Sequence, residues 1–211
     1  MCLTYWPITV SRRPGAHGPH TFWSISPTAM RQLWSATVRR VCWPRSLRPG
    51  CLRAVIIVDG EVPPSHGAAF PVRPALYDLI KSLAEPDGML PIWSRWFAGD
   101  TQRMSLVGLD VLARDAAAFA RFENELPRMH VDWFDDAIEL AGWDHIPAGF
   151  IQASAIYDHA AVAAQRRGWP VANLQGTHLH PTLHPAETAN AILAMSRQLV
   201  PGLPRQGSRA K

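Results

Sequence analysis

The residues with the clearest potential for chemistry lie near the end of the chain, in the sequence Gly176-Thr177-His178. A short apolar run from residue 171 to 174 has the length of a strand and leads into this turn. Pro185 suits the first position of the helix that follows. A strand, a Gly-x-His turn and a terminal helix form the arrangement in which many α/β enzymes present a general base, so His178 is the first candidate.

Two aspartates follow other apolar runs of strand length. The β-branched run 54–58 ends at Asp59, and the run 148–153 is followed by a short segment that leads to Asp158. A strand, helix, strand, helix series predicts parallel neighbours, so Asp158 and His178 should emerge at the same edge of the sheet. Asp59 would stand in the ligand crevice by topology alone. The equal alternative for Asp59 is a turn cap, because Asp often starts turns.

A carboxylate that orients a histidine makes two members of a Ser-His-acid triad, in which the imidazole takes the proton of a hydroxyl nucleophile. On an α/β sheet the chain order is Ser, acid, His, and Asp158 and His178 fit the last two positions. No serine of this chain stands in a G-x-S-x-G context. The nucleophile is therefore missing from the reading frame as written.

Three histidines, His178, His180 and His184, also raise the hypothesis of a metal site, because imidazole is the commonest metal ligand. The spacing crosses Pro181 and no cysteine or carboxylate pair is near in sequence, which is a poor match to known ligand patterns. We therefore expect no metal and no cofactor. Supporting or helix-capping roles suit His180 and His184 better.

The region between the first two aspartates has a different character, with helical periodicity broken by proline and glycine. Helices are predicted over 74–84, 109–126 and 132–140, which together indicate a helical cap inserted at about residues 62–145. The first two helices are separated by an aromatic stretch that contains Trp93, Trp96 and Phe97. Such side chains could form a substrate-binding wall, since aromatics supply most of a pocket's apolar area. An equal alternative is that they join the cap to the body.

Composition divides the chain at Asp59. The net charge is +4, yet all 17 acidic residues lie at Asp59 or later, and the earlier part holds eight arginines, no lysine and all three cysteines. Arginines scattered among Trp, Pro and Cys fit neither a nucleic-acid-binding arm nor a targeting helix. No apolar run approaches the roughly 20 residues that span a membrane. We expect a cytoplasmic protein that binds neither nucleic acid nor membrane.

The segment 1–52 is predicted to be irregular, and one explanation is translation out of frame. Back-translation of residues 33–52 with GC-rich codons, read one base earlier, gives approximately VVGHSAAGVLAPFAASGLPA. This string contains a strand, then Gly-His-Ser-Ala-Ala-Gly, then a small-residue helix, which is close to the nucleophile-elbow pattern. It ends where the in-frame run at Arg53 begins. The hypothesis therefore supplies the serine that the rest of the chain lacks.

Several short motifs occur in a recognisable order between Arg53 and Leu199. They are Asp59-Gly60 with Pro63-Pro64, Asp87-Gly88 with Leu90-Pro91-Ile92-Trp93-Ser94, Glu125-Leu126-Pro127, Gly142-Trp143, Arg167-Gly168-Trp169-Pro170-Val171 and Gly176-Thr177-His178-Leu179-His180. Together they resemble the later two-thirds of a bacterial α/β-hydrolase-fold protein of the esterase-like kind.

The resemblance implies His178 as the catalytic base, with the acid at either Asp158 or Asp59, and a serine elbow immediately before Arg53. It implies an α/β fold in which 53–200 form a partial hydrolase sheet with a cap and 201–211 form a disordered tail. The expected function is ancestral hydrolysis of a small acyl or ester substrate, with no activity as written. The alternative is a non-catalytic ligand-binding or interaction protein that uses the same crevice.

Overall fold

The computed structural model describes residues 2–5 and 52–201 of the chain. The predicted off-frame segment 1–52 and the tail 201–211 lie outside these residues, apart from their described ends. Within the described part, the strands are β1 (Cys2–Tyr5), β2 (Leu52–Val58), β3 (Gly67–Ala69), β4 (Ile138–Leu140), β5 (Ala148–Gln152) and β6 (Val171–Asn173). The helices are α1 (Pro74–Leu83), α2 (Thr101–Val107), α3 (Leu109–Leu112), α4 (Ala116–Glu125), α5 (Asp158–Arg166), α6 (His180–Leu183) and α7 (Pro185–Leu199).

A parallel sheet in the order β1-β2-β5-β6 forms the centre of the fold. Strands β2, β5 and β6 are the three that the sequence predicts, and α5 and α7 are the predicted helices that follow β5 and β6. A mixed α/β class with parallel strands is therefore confirmed. Strand β1 lies within the segment predicted to be irregular. It joins the open edge of β2 by backbone pairing, which any sequence can supply.

Both faces of the sheet are covered, which explains why its strands are continuously apolar rather than alternating. On one face, Ile56 and Ile151 pack with Met195 of α7. On the other face, Ile57 and Phe150 pack against the alanines of α5. Because the strands are parallel, their carboxyl ends meet at one edge of the sheet. The loops at this edge can carry functional groups.

Residues 62–145 are less helical than the sequence predicts. The expected helix over 109–126 is two helices, α3 and α4, because Asp115 restarts the helix by accepting a hydrogen bond from the Ala118 N–H. The expected helix over 132–140 is wrong. Its first part is a 3-10 turn (Val131–Asp135), and its second part is β4, which pairs antiparallel with β3. A long-range strand partner overrode the helical periodicity there.

None of the helices in residues 2–5 and 52–201 is long and apolar enough to cross a membrane.

The close approach of α7 to β5 depends on Gly149. A Cβ at this position would lie 2.5 Å from Met195 Sδ and 3.2 Å from Leu199 Cδ1. Replacing glycine in a strand usually favours folding by reducing the freedom of the unfolded chain. Here we expect Gly149→Ala to lower the free energy of unfolding by about 1–3 kcal/mol, because the added methyl overlaps a packed side chain.

Urea unfolding of Gly149→Ala in the native and in the Met195→Ala background measures this effect. Truncation of Met195 should remove most of the cost, since it removes the overlapping atoms. An equal cost in both backgrounds would show that Met195 is not the cause.

Candidate active site

The site is built around the carboxylate of Asp59, the first residue after β2. Asp59 is 1% exposed and has a φ of 45°, a left-handed conformation that Asp tolerates better than most residues. Its Oδ1 accepts hydrogen bonds from the backbone N–H groups of Ala153 and Ser154, at 2.8 and 2.7 Å. Its Oδ2 accepts from Ser154 Oγ at 2.7 Å. The carboxylate is therefore desolvated but fixed by three donors from the turn after β5.

The fourth partner of this carboxylate is His178. His178 Nδ1 lies 2.9 Å from Asp59 Oδ2, and the side chain of His178 is 32% exposed. An ionised carboxylate can only accept hydrogen bonds, so the proton of the neutral imidazole sits on Nδ1. Nε2 is then left with its lone pair, as a base requires.

Asp158, the other candidate acid, has a different partner. It is the first residue of α5, it is exposed, and its Oδ1 accepts a hydrogen bond from Gln152 Nε2. Asp158 and His178 do share an edge of the sheet, but the structure brings Asp59 to the imidazole instead. Asp59 directly follows its strand, whereas the chain has already turned into α5 when it reaches Asp158. The carboxylate of Asp59 anchors a neighbouring turn rather than capping its own.

The turn that carries His178 is fixed at several points. Asn173 Oδ1 accepts from the Gln175 N–H, and Gln175 has a φ of 50°. The Gly176 N–H donates to the Ala153 carbonyl at 2.8 Å. A Cβ on Gly176 would lie 2.1 Å from His180 Nδ1, so the buried ring of His180 requires glycine here. The Gly-x-His pattern thus follows from packing as well as from the turn.

The three aromatic residues proposed for a substrate wall have different positions. Trp93 lies beside the candidate base, with its ring centroid 6.1 Å from that of His178. Phe97 packs on Trp93 in a T-shaped arrangement, with ring centroids 5.8 Å apart. Trp96 is buried in another cluster, where it packs on Phe134 and donates its indole N–H to the Pro91 carbonyl.

Tyr157 was not among the predicted site residues. Its ring centroid lies 5.5 Å from that of His178, and burial raises the pKa of the Tyr157 phenol, with the Glu61 and Asp59 carboxylates adding to the shift. The signal that could have found it is topological. Tyr157 falls in the turn after β5, at the strand edge where Asp59 and His178 also lie.

The 3-10 turn Trp93–Arg95, which presents Trp93, is tied to α4 through Glu123. Buried Ser94 donates its hydroxyl to Glu123 Oε1 at 2.7 Å, and Arg95 Nε lies 3.0 Å from the same oxygen. The Ser94 hydrogen bond, helped by Arg95, holds the pKa of the Glu123 carboxyl below its usual value.

His180 and His184 lie side by side rather than around a common centre with His178. Their rings are 4.7 Å apart, and His180 Nε2 lies 3.3 Å from Glu187 Oε2. In residues 2–5 and 52–201, no group of three or more His, Cys, Asp or Glu side chains is arranged to hold a metal ion.

No protein-family model matches this chain, and no curated protein matches its sequence.

Asp59 and His178 form a carboxylate–imidazole pair. Within residues 2–5 and 52–201, the side chain of His178 has one hydrogen-bond partner, which is Asp59. It makes no hydrogen bond to a serine there. Ser154 is 3% exposed and its hydroxyl is bonded to Asp59, so it is a support for the acid and not a nucleophile. What the site can do is accept a proton at Nε2 from a hydroxyl group delivered to the crevice.

Asp59→Asn should destabilise the fold strongly. An asparagine side chain keeps one acceptor oxygen, so its amide group would face at least one of the donors that now bind the carboxylate. We expect a loss of about 1–3 kcal/mol in the free energy of unfolding, the usual cost of buried donors left unpaired.

The matched control is Asp158→Asn, which changes an exposed carboxylate at the same sheet edge and should cost less than about 0.5 kcal/mol. Urea denaturation followed by circular dichroism compares the two variants. Equal effects would contradict the assignment of Asp59 as the buried anchor.

The lowered pKa of Glu123 predicts a pH-dependent contribution to stability. A carboxyl with a depressed folded-state pKa contributes fully above its ordinary value, which is 4.5, and loses that contribution as the pH falls through the lower value. The difference in melting temperature between the native chain and Glu123→Gln should therefore shrink on acidification.

Thermal melts at neutral pH and at a pH below that ordinary value measure this difference. Asp136→Asn, which changes an exposed carboxylate of the same region, is the control and should show a small difference at both. A Glu123→Gln effect that stays constant or grows with acid would contradict the ion pair.

Proposed function

We propose that the chain is an α/β-hydrolase-fold protein of esterase-like descent, in which Asp59 and His178 are the acid and base of a Ser-His-Asp triad. The proposed serine is absent from the reading frame as written, so the chain is catalytically incomplete. The observation that carries this proposal is the 2.9 Å contact between His178 Nδ1 and the buried Asp59 carboxylate, at the carboxyl edge of a parallel sheet.

In this mechanism Asp59 fixes the tautomer and the direction of the imidazole, and its charge stabilises the imidazolium that forms. His178 Nε2 takes the proton of the serine hydroxyl as the hydroxyl attacks the ester carbonyl. It then returns that proton to the departing alcohol. The three donors that hold Asp59 support this role, because a fixed carboxylate needs no reorganisation when the positive charge appears.

The substrate proposed is a small ester or related acyl compound. The rings of Trp93 and Tyr157 beside His178 support an apolar or aromatic group near the reacting carbonyl. Residues 62–145 are inserted between β2 and β5 and include the turn that presents Trp93, which supports their role as a cap over the crevice.

The hypothesis of a shifted reading frame gives the missing serine a position. The restored segment would place a strand before the serine and a helix between the serine and β2, and such a crossover would let the strand pair with the edge of β2 away from β5. In the chain as written that edge is occupied by β1, a strand of four residues whose register shifts between Cys2 and Thr4. A short and irregular partner on this edge supports the idea that another strand belongs there.

A second candidate function is ligand binding without catalysis. The observation that favours it is that the acid and base keep their contact in a chain without a G-x-S-x-G serine. A protein of this kind should bind a small ligand near Trp93 as the 211-residue chain, and the ligand should raise the melting temperature, whereas an incomplete enzyme should show no such rise.

The 211-residue chain should show no turnover of p-nitrophenyl acetate or butyrate above the rate in buffer. A chain whose codons before Arg53 are read one base earlier should hydrolyse them. Replacement of the restored serine by alanine, or His178→Ala in the restored chain, should lower kcat by at least about a thousandfold.

His159→Gln in the restored chain is the matched control, because His159 pairs with Glu61 and not with Asp59. Robust hydrolysis by the chain as written that disappears in His178→Ala would refute the missing nucleophile. Absence of activity in a folded, restored chain would refute the assignment as a hydrolase.

A further inference from the structure

Of the two aromatic rings beside His178, that of Tyr157 is the nearer. The centroids of Tyr157 and His178 are 5.5 Å apart with a tilt of 37° between the planes, compared with 6.1 Å and 51° for Trp93. A second histidine ring near Tyr157 is that of His159, whose centroid lies 6.0 Å away. Tyr157 therefore has two imidazole neighbours, the candidate base His178 and the exposed His159.

The position of Tyr157 is set by the same carboxylate that holds the base. Tyr157 ends the 3-10 turn Ala155–Tyr157, and its N–H donates to the Ser154 carbonyl. Ser154 is bound to Asp59 through both its N–H and its hydroxyl. Asp59 thus fixes the imidazole directly and the phenol ring through one turn of backbone.

His178 needs a second constraint, because its bond to Asp59 holds a single atom of a ring that is one-third exposed. A single hydrogen bond leaves the ring plane free to rock about it. The Tyr157 hydroxyl has no hydrogen-bond partner in residues 2–5 and 52–201, so no such bond ties it to the dyad. Tyr157 can therefore restrain the imidazole of His178 only through the contact between the two rings.

We propose that Tyr157 is a positioning residue, whose ring holds the imidazole of His178 so that Nδ1 stays on Asp59 and Nε2 faces the crevice. This inference rests on the proposed role of His178 as a base. The raised pKa of the phenol is consistent with it, since a neutral ring adds no charge beside the dyad.

The test uses the full 211-residue chain and the proton on His178 Nδ1, which NMR detects far downfield of the amide region when it is bonded to a carboxylate. Its exchange with water is measured in the native chain, Tyr157→Phe and Tyr157→Leu. The Phe variant should match the native chain, because it keeps the ring. The Leu variant should exchange about two- to tenfold faster, the range expected for loss of one aromatic contact.

His159→Gln is the control, and it should leave the exchange rate unchanged because the ring contact of His159 is with Tyr157 and its hydrogen bond is with Glu61. A folded Leu variant with the native exchange rate would overturn the positioning role while leaving the dyad intact. A Phe variant as fast as Leu would also overturn it, since the hydroxyl would then be the important group. Should Tyr157→Leu not fold, Tyr157→Met allows the same comparison.

A native chain without this proton signal, or an Asp59→Asn variant that keeps it, would instead remove the dyad. Both the proposed function and the positioning role would then fail. The dyad is supported if the Nδ1 proton signal is lost in Asp59→Asn. The positioning role is supported if, in addition, only the Leu variant exchanges faster than the native chain.

Discussion

The buried carboxylate of Asp59 is the interaction on which the site depends. Burying a charge is costly unless the charge is paired and hydrogen-bonded, and this one has four partners, which are two backbone amides, one serine hydroxyl and one imidazole. Three of the four come from the turn after β5, and the fourth comes from the turn after β6. One side chain after β2 therefore joins the ends of three parallel strands and gives His178 its direction.

Other parts of the fold adapt to this arrangement. Asp59 and Gln175 both have a left-handed backbone, one at the acidic residue and one in the turn that carries His178. Such strained positions are typical of functional sites. Gly176 admits the buried ring of His180 beneath the turn, and the Leu179 N–H binds the Val107 carbonyl of α2. The region between β2 and β5 is in this way attached to the histidine turn, and one of its aromatic side chains, Trp93, lies beside His178.

Much of this could be predicted from the sequence, because buried parallel strands, the Gly-x-His turn and the start of α7 at Pro185 leave local signals. The identity of the residue that contacts His178 could not, since Asp59 and Asp158 both follow strands and only the three-dimensional path of the turns separates them. The strand pair β3 and β4 was missed because each strand has three residues and its partner lies far along the chain. Trp96 was misleading for a similar reason, because aromatic composition does not tell a crevice wall from a buried cluster.

The most direct test of the central claim, an acid and a base prepared for a serine that the frame omits, is labelling with a fluorophosphonate followed by mass spectrometry. The chain restored before Arg53 should be labelled on the serine of the Gly-His-Ser segment, and labelling should be lost in Asp59→Asn but kept in Asp158→Asn. The 211-residue chain should remain unlabelled. Labelling of the chain as written, or labelling of the restored chain that survives Asp59→Asn, would contradict the account.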